Sequence, residues 1–454
     1  MRLSKKISPN LFFFGLSTFI SKGLAILLLP IYSRSLSVGE YGILDVILTF
    51  LMLLLPFVTF ALYESVLKYC LEGDFSRKKL ISTAFFVTVI NAIILFLMLI
   101  FASKIFGYED YVWFLMPVLF LMSIFELFSK YANGTQNTII YTKANIFISA
   151  LLITCVIFFV YLGRYGIMGV LTSYIISYLA GNIYVCYALS LHKKIKISFF
   201  DLDVLKKMLA VSAPLIPNAL MWWVFNAGDR AMVLYYSGSD DAGIYAVSNK
   251  ISAIVVLFHT ILFQAWQISA VKEKGNVKFY AIMIQRYYLF MVFMVSLLIS
   301  LNKYVLGITL PNSYSNAWYI GNVLIVSSLF FSIASFIGVF YVVYNDTKSA
   351  LRTSCFAAVL NLTLNFILIP PFGAYGAAIA TLISTLSILI FRVVSISKHV
   401  PIKLSNLFYY LLPFLLFFQL LSMNFMETYI ISIVSTLVLL FIFVRDFFVR
   451  CENE

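Results

Sequence analysis

Charge is what the 454-residue sequence has least of: Asp, Glu, Lys and Arg together make up 11% of it, while 62% is hydrophobic. A water-soluble domain carries roughly 25% charged residues and cannot cover its surface with so few. The chain therefore lives in a lipid bilayer. Its three histidines, His192, His259 and His399, lie far apart, and its five cysteines, Cys70, Cys155, Cys186, Cys355 and Cys451, form no CxxC pair and no Cys/His cluster. Zinc spacing and a disulfide framework are thereby excluded. A Walker A motif and a GxSxG nucleophile motif are also missing, so neither ATP hydrolysis nor serine-hydrolase chemistry has residues to carry it. Long connections are scarce as well. Fourteen helices of roughly 22 residues would leave about 10 residues per connection, too few for a nucleotide domain. We expect no enzyme and no bound cofactor.

What is present is a series of apolar runs, at about 10–32, 42–68, 80–103, 111–132, 144–162, 166–190, 209–236, 243–270, 279–301, 317–344, 349–369, 376–397, 405–423 and 429–447. Their lengths suit helices crossing a core of about 30 Å, not the roughly ten-residue alternating strands of a barrel. The expected fold is an all-α polytopic membrane protein of about 14 transmembrane helices, with Pro413 interrupting the thirteenth. The first run follows Arg2, Lys5 and Lys6. It is too long for a signal-peptide core, contains Lys22 and lacks a small-x-small cleavage site, so it reads as helix 1.

The excess of cations, 32 against 19 acids, gives orientation. With the N-terminus inside, 24 of the 32 fall on inner segments and four, Arg34, Lys104, Arg164 and Lys303, on outer ones. That bias places both termini in the cytoplasm and leaves no reason to expect nucleic acid. The richest inner stretch, 191–208, holds Lys193, Lys194, Lys196, Lys206 and Lys207 and reads as a solvated linker touching acidic headgroups.

An internal repeat divides the rest. Gly42, Ile43 and Val46 match Gly243, Ile244 and Val247, with an acid at Glu40 and at Asp241; further on, Tyr165-Gly166 matches Phe372-Gly373. Both matches fall at equivalent connections of a six-helix unit, and six being even, the two units insert in parallel. The expected organisation is an N-lobe at 1–190, the basic linker at 191–208, a C-lobe at 209–397, and two further helices at 398–454.

Four cations remain inside spans: Lys22, Arg230, Lys250 and Arg286. Each costs about 2.5–3.5 kcal/mol or more at a helix centre unless it faces a polar interior. Lys22 lies roughly 17 Å from the inner end of helix 1, beyond easy snorkelling. Together with Asp45 and Asp229, the cations Lys22, Arg230 and Lys250 occupy the equivalent first helix pairs of the two units, where a cavity would be lined; a structural ion pair is the alternative. Glu126 stands four residues before Lys130, which suggests a local pair. Pro30, Pro214 and Pro217 kink their helices, and with Asn226, Arg34 and Arg286 they are candidates for gating or coupling. Trp222 and Trp223 suit either sugar rings or lipid, and Asn361 and Asn365 suit bonds across helices or to a substrate.

The short Gly-Glu-Tyr-Gly connection at 39–42, Asp229-Arg230 followed by Gly-Ile-Tyr-Ala-Val-Ser-Asn-Lys-Ile at 243–251, and Ile-Pro-Pro-Phe-Gly-Ala-Tyr-Gly-Ala-Ala-Ile-Ala-Thr at 369–381 resemble the Wzx-type lipid-linked oligosaccharide (O-antigen repeat unit) flippases. These belong to the polysaccharide transporter family of the multidrug/oligosaccharidyl-lipid/polysaccharide exporter superfamily. The resemblance covers about residues 1–400. It implies two six-helix lobes in a MATE-like V around a cationic cavity, with helices 13 and 14 as an extension that forms a lipid-tail groove or an extra scaffold. It further implies movement of an undecaprenyl-diphosphate-linked oligosaccharide to the periplasmic leaflet of a bacterial inner membrane, for O-antigen, lipopolysaccharide or capsule biosynthesis, alongside polymerase and chain-length proteins. Lys22, Arg230 and Lys250 would then hold phosphate oxygens, while Asp45 and Asp229 orient them or take a coupling proton. With no ATPase motif, an H+ or Na+ gradient is the energy source. Rival readings are a MATE-like drug exporter, which would want an acid-dominated cavity, a membrane enzyme of polysaccharide assembly, and a non-transporting scaffold.

Overall fold

In hydrocarbon a chain can satisfy its backbone only in helices or closed barrels, and this one uses helices. A computed structural model describes residues 24, 27–106, 109–398, 408–426 and 429–451, and no strand occurs among them. Lys22 lies outside the described residues, so helix 1 is seen only as α1, residues 27–35. There follow α2 (Val38–Val58), α3 (Leu62–Glu72), α4 (Arg77–Phe106), α5 (Glu109–Gly134), α6 (Thr138–Val156), α7 (Gly166–Ala188), α8 (Leu191–Lys194) and α9 (Leu202–Ser212). Then come α10 (Leu215–Ser237), α11 (Ser239–Lys272), α12 (Val277–Thr309), α13 (Ala317–Val343), α14 (Thr347–Ile396), α15 (Phe408–Met426) and α16 (Tyr429–Cys451). Among the described residues nine helices, α14 counted once, are long and apolar enough to cross a membrane, and the bent pair α9–α10 passes the same test when taken together. Two shorter apolar helices lie at Leu412–Asn424 and Tyr429–Arg445. Pro413 sits in the first turns of α15 without breaking it.

Two expected spans are broken, and two others are joined in one element. The run 42–68 is broken: α2 contains Pro56, and Phe60 and Ala61 take φ of 47° and 51° before α3 resumes. A break in hydrocarbon frees carbonyls that must find donors. Here Asn91 Nδ2 on α4 donates to Phe57 O at 2.7 Å and Val58 O at 2.8 Å, and the Thr59 hydroxyl donates to Leu55 O at 2.8 Å. The run 209–236 begins earlier, in α9, and bends by 41° between Ser212 and Leu215, where Pro214 has no N–H to continue the ladder. The runs 349–369 and 376–397 are the two arms of α14, which doubles back at Pro370, Pro371 and Gly373 (φ 54°, ψ −139°). Phe356 packs on Phe391 with ring centroids 4.6 Å apart, and Arg392 donates to Ser354 Oγ at 3.1 Å, so the arms run antiparallel as two crossings.

The chain divides into two units, the first up to Glu40 with Leu44–Trp223, the second Tyr41–Ile43 with Val224 onward. In the first, Leu62, Val66, Leu80, Ile81, Leu127 and Phe128 head a buried cluster that continues to Val204 and Met208 of α9. The stretch read as a linker is thus bound to this unit: Ser65 donates to Met208 O at 2.7 Å and Ser82 to Lys194 O at 2.9 Å. In the second unit α15 and α16 are fastened by polar side chains. Gln419 accepts from the Ser296 hydroxyl at 2.7 Å and donates to Ser432 Oγ at 2.8 Å and Ser300 Oγ at 3.1 Å. A second ladder runs from Asn302 to Asn322 at 2.9 Å and from Asn322 to Asn424 at 2.8 Å. Without a hydrophobic drive between helices in lipid, such bonds and close packing are what hold them.

The repeat read from sequence closes on itself in each unit. Glu40, which forms a capping box with Ser37 at the start of α2, has its Oε1 3.3 Å from where a Cβ would stand on Gly166, whose φ is +58°. Likewise Asp241, in the first turn of α11, accepts from Ala374 N–H at 3.4 Å and leaves no room for a Cβ on Gly373. Each acid sits at the positive ends of two helices at once, a favourable place for negative charge.

Candidate functional site

The polar centre of the second unit is built on α10, α11 and α14. Asp229 on α10 is 5% exposed and Tyr245 on α11 is 1% exposed. The tyrosine hydroxyl donates to Asp229 Oδ2, and Arg230 N–H donates to Asp229 Oδ1 at 2.9 Å. Thr381, on the second arm of α14, lies beside the Tyr245 hydroxyl and donates to Ala377 O at 3.0 Å. Asn361 Nδ2 reaches Thr381 Oγ1 at 3.5 Å, and Asn365 Nδ2 donates to Asn361 Oδ1 at 3.1 Å. Both asparagines are 1% exposed, and Asn365 Oδ1 is a buried acceptor with no hydrogen-bond donor among the described residues. The network joins a carboxylate, two hydroxyls and two amides, all hard oxygen groups, in a chain from Asp229 to Asn365.

The other candidates fall as follows. Arg230, Lys250 and Arg286 lie in the second unit on α10, α11 and α12, each half-buried. Asp45 is in the first unit, 3% exposed on α2, and close enough to Tyr174 of α7 for its charge to act there. Pro30 is half-buried, and its carbonyl accepts from the Ser33 hydroxyl at 3.2 Å; Arg34 is exposed. Pro214 stands in the α9–α10 bend and Pro217 in the first turn of α10, both exposed, and Asn226 lies on α10 between them and Asp229. Lys22 remains outside the described residues.

Two side chains serve packing instead. Trp223 donates from Nε1 to Thr49 O at 2.7 Å and meets Phe50 edge-on, which ties the first half of α10 to α2 within the first unit. Lys130 is 3.8 Å from Glu126, as their spacing predicts, and also reaches Glu64 of α3 at 2.7 Å, with Tyr63 beneath the ammonium. Tyr245 and Thr381 were not singled out by sequence. Both lie inside the motif stretches 243–251 and 369–381, but nothing local shows that a turn doubling back at Gly373 brings the second beside the first.

The family model of the polysaccharide biosynthesis proteins matches residues 7–267, more than half of the chain. The chain belongs to the polysaccharide biosynthesis protein family. A relative of this member of the family, the uncharacterized membrane protein MJ1375 of Methanocaldococcus jannaschii, is 26% identical over 260 residues, which is 52% of this chain and 60% of that protein. The match thus spans less than two thirds of the relative's own length. Among solved structures, the lipid II flippase MurJ in an inward closed conformation superposes with a TM-score of 0.74 at 12% identity, over 97% of this chain and 98% of that one. An inward-facing multidrug resistance transporter of the MATE family gives 0.59 at 13% identity, over 86% and 94%. A Vibrio cholerae MATE transporter gives 0.57 at 12%, over 87% and 96%. At such identities the likeness establishes the fold of this family member, a multi-pass helical membrane architecture.

Proposed function

We propose that this member of the polysaccharide biosynthesis family is a flippase. It carries a lipid-linked oligosaccharide, of the undecaprenyl-diphosphate type used for O-antigen or capsule, from the cytoplasmic to the periplasmic leaflet of a bacterial inner membrane, with both termini cytoplasmic. No covalent step is required: the polar diphosphate-sugar head must be enclosed while the polyprenyl tail stays in lipid, and residues 1–190 and 209–397 alternate access to it about the repeat. Lys22, Arg230 and Lys250 bind the diphosphate. The observation that carries the reading is the buried Asp229 network. A carboxylate with Tyr245, Thr381, Asn361 and Asn365 in hydrocarbon has the chemistry to take up a proton or Na+, and a transporter without an ATPase needs such a coupling ion. Polymerase and chain-length proteins are the expected partners in the membrane.

The test uses the full chain in proteoliposomes with a fluorescent undecaprenyl-diphosphate oligosaccharide and an imposed H+ or Na+ gradient. Asp229→Asn should lower gradient-driven flipping by at least ten-fold, and Lys250→Ala and Lys22→Ala should do the same with or without a gradient, glutamate at either lysine being worse than alanine. Normal flipping by the lysine variants at native abundance would falsify the cationic cavity. Export of a cationic dye in place of the oligosaccharide would turn the assignment to drug efflux.

A further inference from the structure

Cations that only fix orientation need no folded arrangement, since a loose inner loop serves as well. The basic stretch after α7 is nevertheless built into the first unit as a platform. Ser82 donates to Lys194 O and accepts from Lys196 N–H at 3.2 Å; Thr83 accepts from Asp201 N–H at 3.1 Å; Lys79 pairs with Asp201 at 2.8 Å; and Tyr69 donates to Lys207 O at 3.2 Å. These bonds hold the stretch from Lys193 to Lys207 against the start of α4, with Lys194 close enough to Arg77 and Lys78 for their charges to act on it.

Three features of that surface are unfavourable as they stand. Arg77, Lys78 and Lys79 occupy the first turn of α4 with no acid among them, although the helix N-terminus already carries positive partial charge. Burial and the neighbouring charges of Arg77 and Lys78 together lower the pKa of Lys194, the mark of like charges held close. Ile197 and Leu202, between the lysines, are 78% and 62% exposed. Aromatic rings also back the ammoniums, Lys78 over Phe199 at 5.4 Å and Lys207 over Phe75 at 5.1 Å. A surface that repels itself and leaves apolar side chains between its cations is complementary to an anionic, partly apolar plane.

We propose that this platform is a docking surface for anionic phospholipids, with Lys78, Lys193 and Lys196 on the headgroup phosphates and Ile197 and Leu202 dipping into the acyl boundary. It seats the first unit in the leaflet it faces, and it does so whatever cargo the protein carries.

The probe is the full-length protein in detergent titrated with mixed micelles of phosphatidylglycerol in phosphatidylcholine, read by the rise in unfolding temperature and by lipid retained after washing. The triple variant Lys78→Gln/Lys193→Gln/Lys196→Gln should weaken the phosphatidylglycerol response by roughly 100-fold, about five-fold per lysine. Lys272→Gln/Lys274→Gln/Lys278→Gln removes as much charge from the exposed facing ends of α11 and α12 and the connection between them and should leave the response within about three-fold of the native one. Leu202→Ser, at a site exposed enough to leave the fold intact, should weaken it by roughly ten-fold. Equal losses in both triple variants would reduce the effect to net charge and overturn the proposal. So would an equal response to pure phosphatidylcholine, or displacement of phosphatidylglycerol by inorganic pyrophosphate, which would assign the platform to the diphosphate of a cargo.

Discussion

The two units share a repeat and handle buried charge differently. In the first, Lys130 sits between Glu64 and Glu126, so charges are settled against one another and fix α3 to α5. In the second, Asp229 lies in a chain of hydroxyls and amides through Tyr245, Thr381, Asn361 and Asn365. An ion pair with both partners in place is expensive to disturb. A carboxylate bonded to hydroxyl and amide groups, with the Arg230 charge acting on the same Tyr245 hydroxyl, can change its own charge by gaining one proton or cation. The comparison teaches that buried charge braces the first unit and, on the proposed reading, couples in the second.

The sharpest way to probe the shared plan is at its two turns. Gly373→Ala puts a Cβ against Asp241 in a conformation nearly closed to other residues and should cost about 3 kcal/mol or more. Gly166→Ala, at φ +58° with Glu40 at 3.3 Å, should cost about 1 kcal/mol. Thermal unfolding of the purified variants in detergent measures both. Equal losses would mean that the two acid-on-glycine contacts are loaded alike. Next, Lys130→Met should destabilise by about 1–2 kcal/mol, a value kept low because the three side chains are a quarter to a third exposed, and Glu64→Gln should restore part of it. Asp229→Asn should change stability by less than about 1 kcal/mol while abolishing coupling. If Lys130→Met stops transport without touching stability, the division between the units is wrong.

The smallest effect belongs to Asp201. Its carboxylate is held below the ordinary aspartate value of 3.8 by the Lys79 ammonium and by the N–H groups of Val204 and Asp203. A depressed acid contributes its stability above the unfolded-state value and loses it as pH falls through the folded one. The start of α9 should therefore loosen only below about pH 3.8, and Asp201→Asn should mimic this at pH 7. Hydrogen exchange over 196–208 reads it, with no change expected in the second unit.

The apolar helices were legible because hydropathy is a local sum over many residues. The break at 59–61 was not, because Pro56 alone does not end a helix, and the donor that makes a break tolerable, Asn91, is more than thirty residues away. Asp229 was legible as an ion in an apolar run. Its setting was not, since Thr381 looks like any threonine of an apolar helix until the turn at Gly373 carries it to Tyr245. Trp223 misleads in the opposite direction: an aromatic on a kinked span suggests a sugar platform, and its indole N–H is spent on Thr49.

The serine, threonine and glutamine seam that holds α15 and α16 has a consequence for how this chain can change over time. A greasy helix pair could be lost by truncation and leave a greasy surface behind. Removing this one would strip Ser296 and Ser300 of their partners and turn two hydroxyls of α12 toward lipid. The seam works as a ratchet: losing the helix pair without cost requires Ser296 and Ser300 of α12 to change as well.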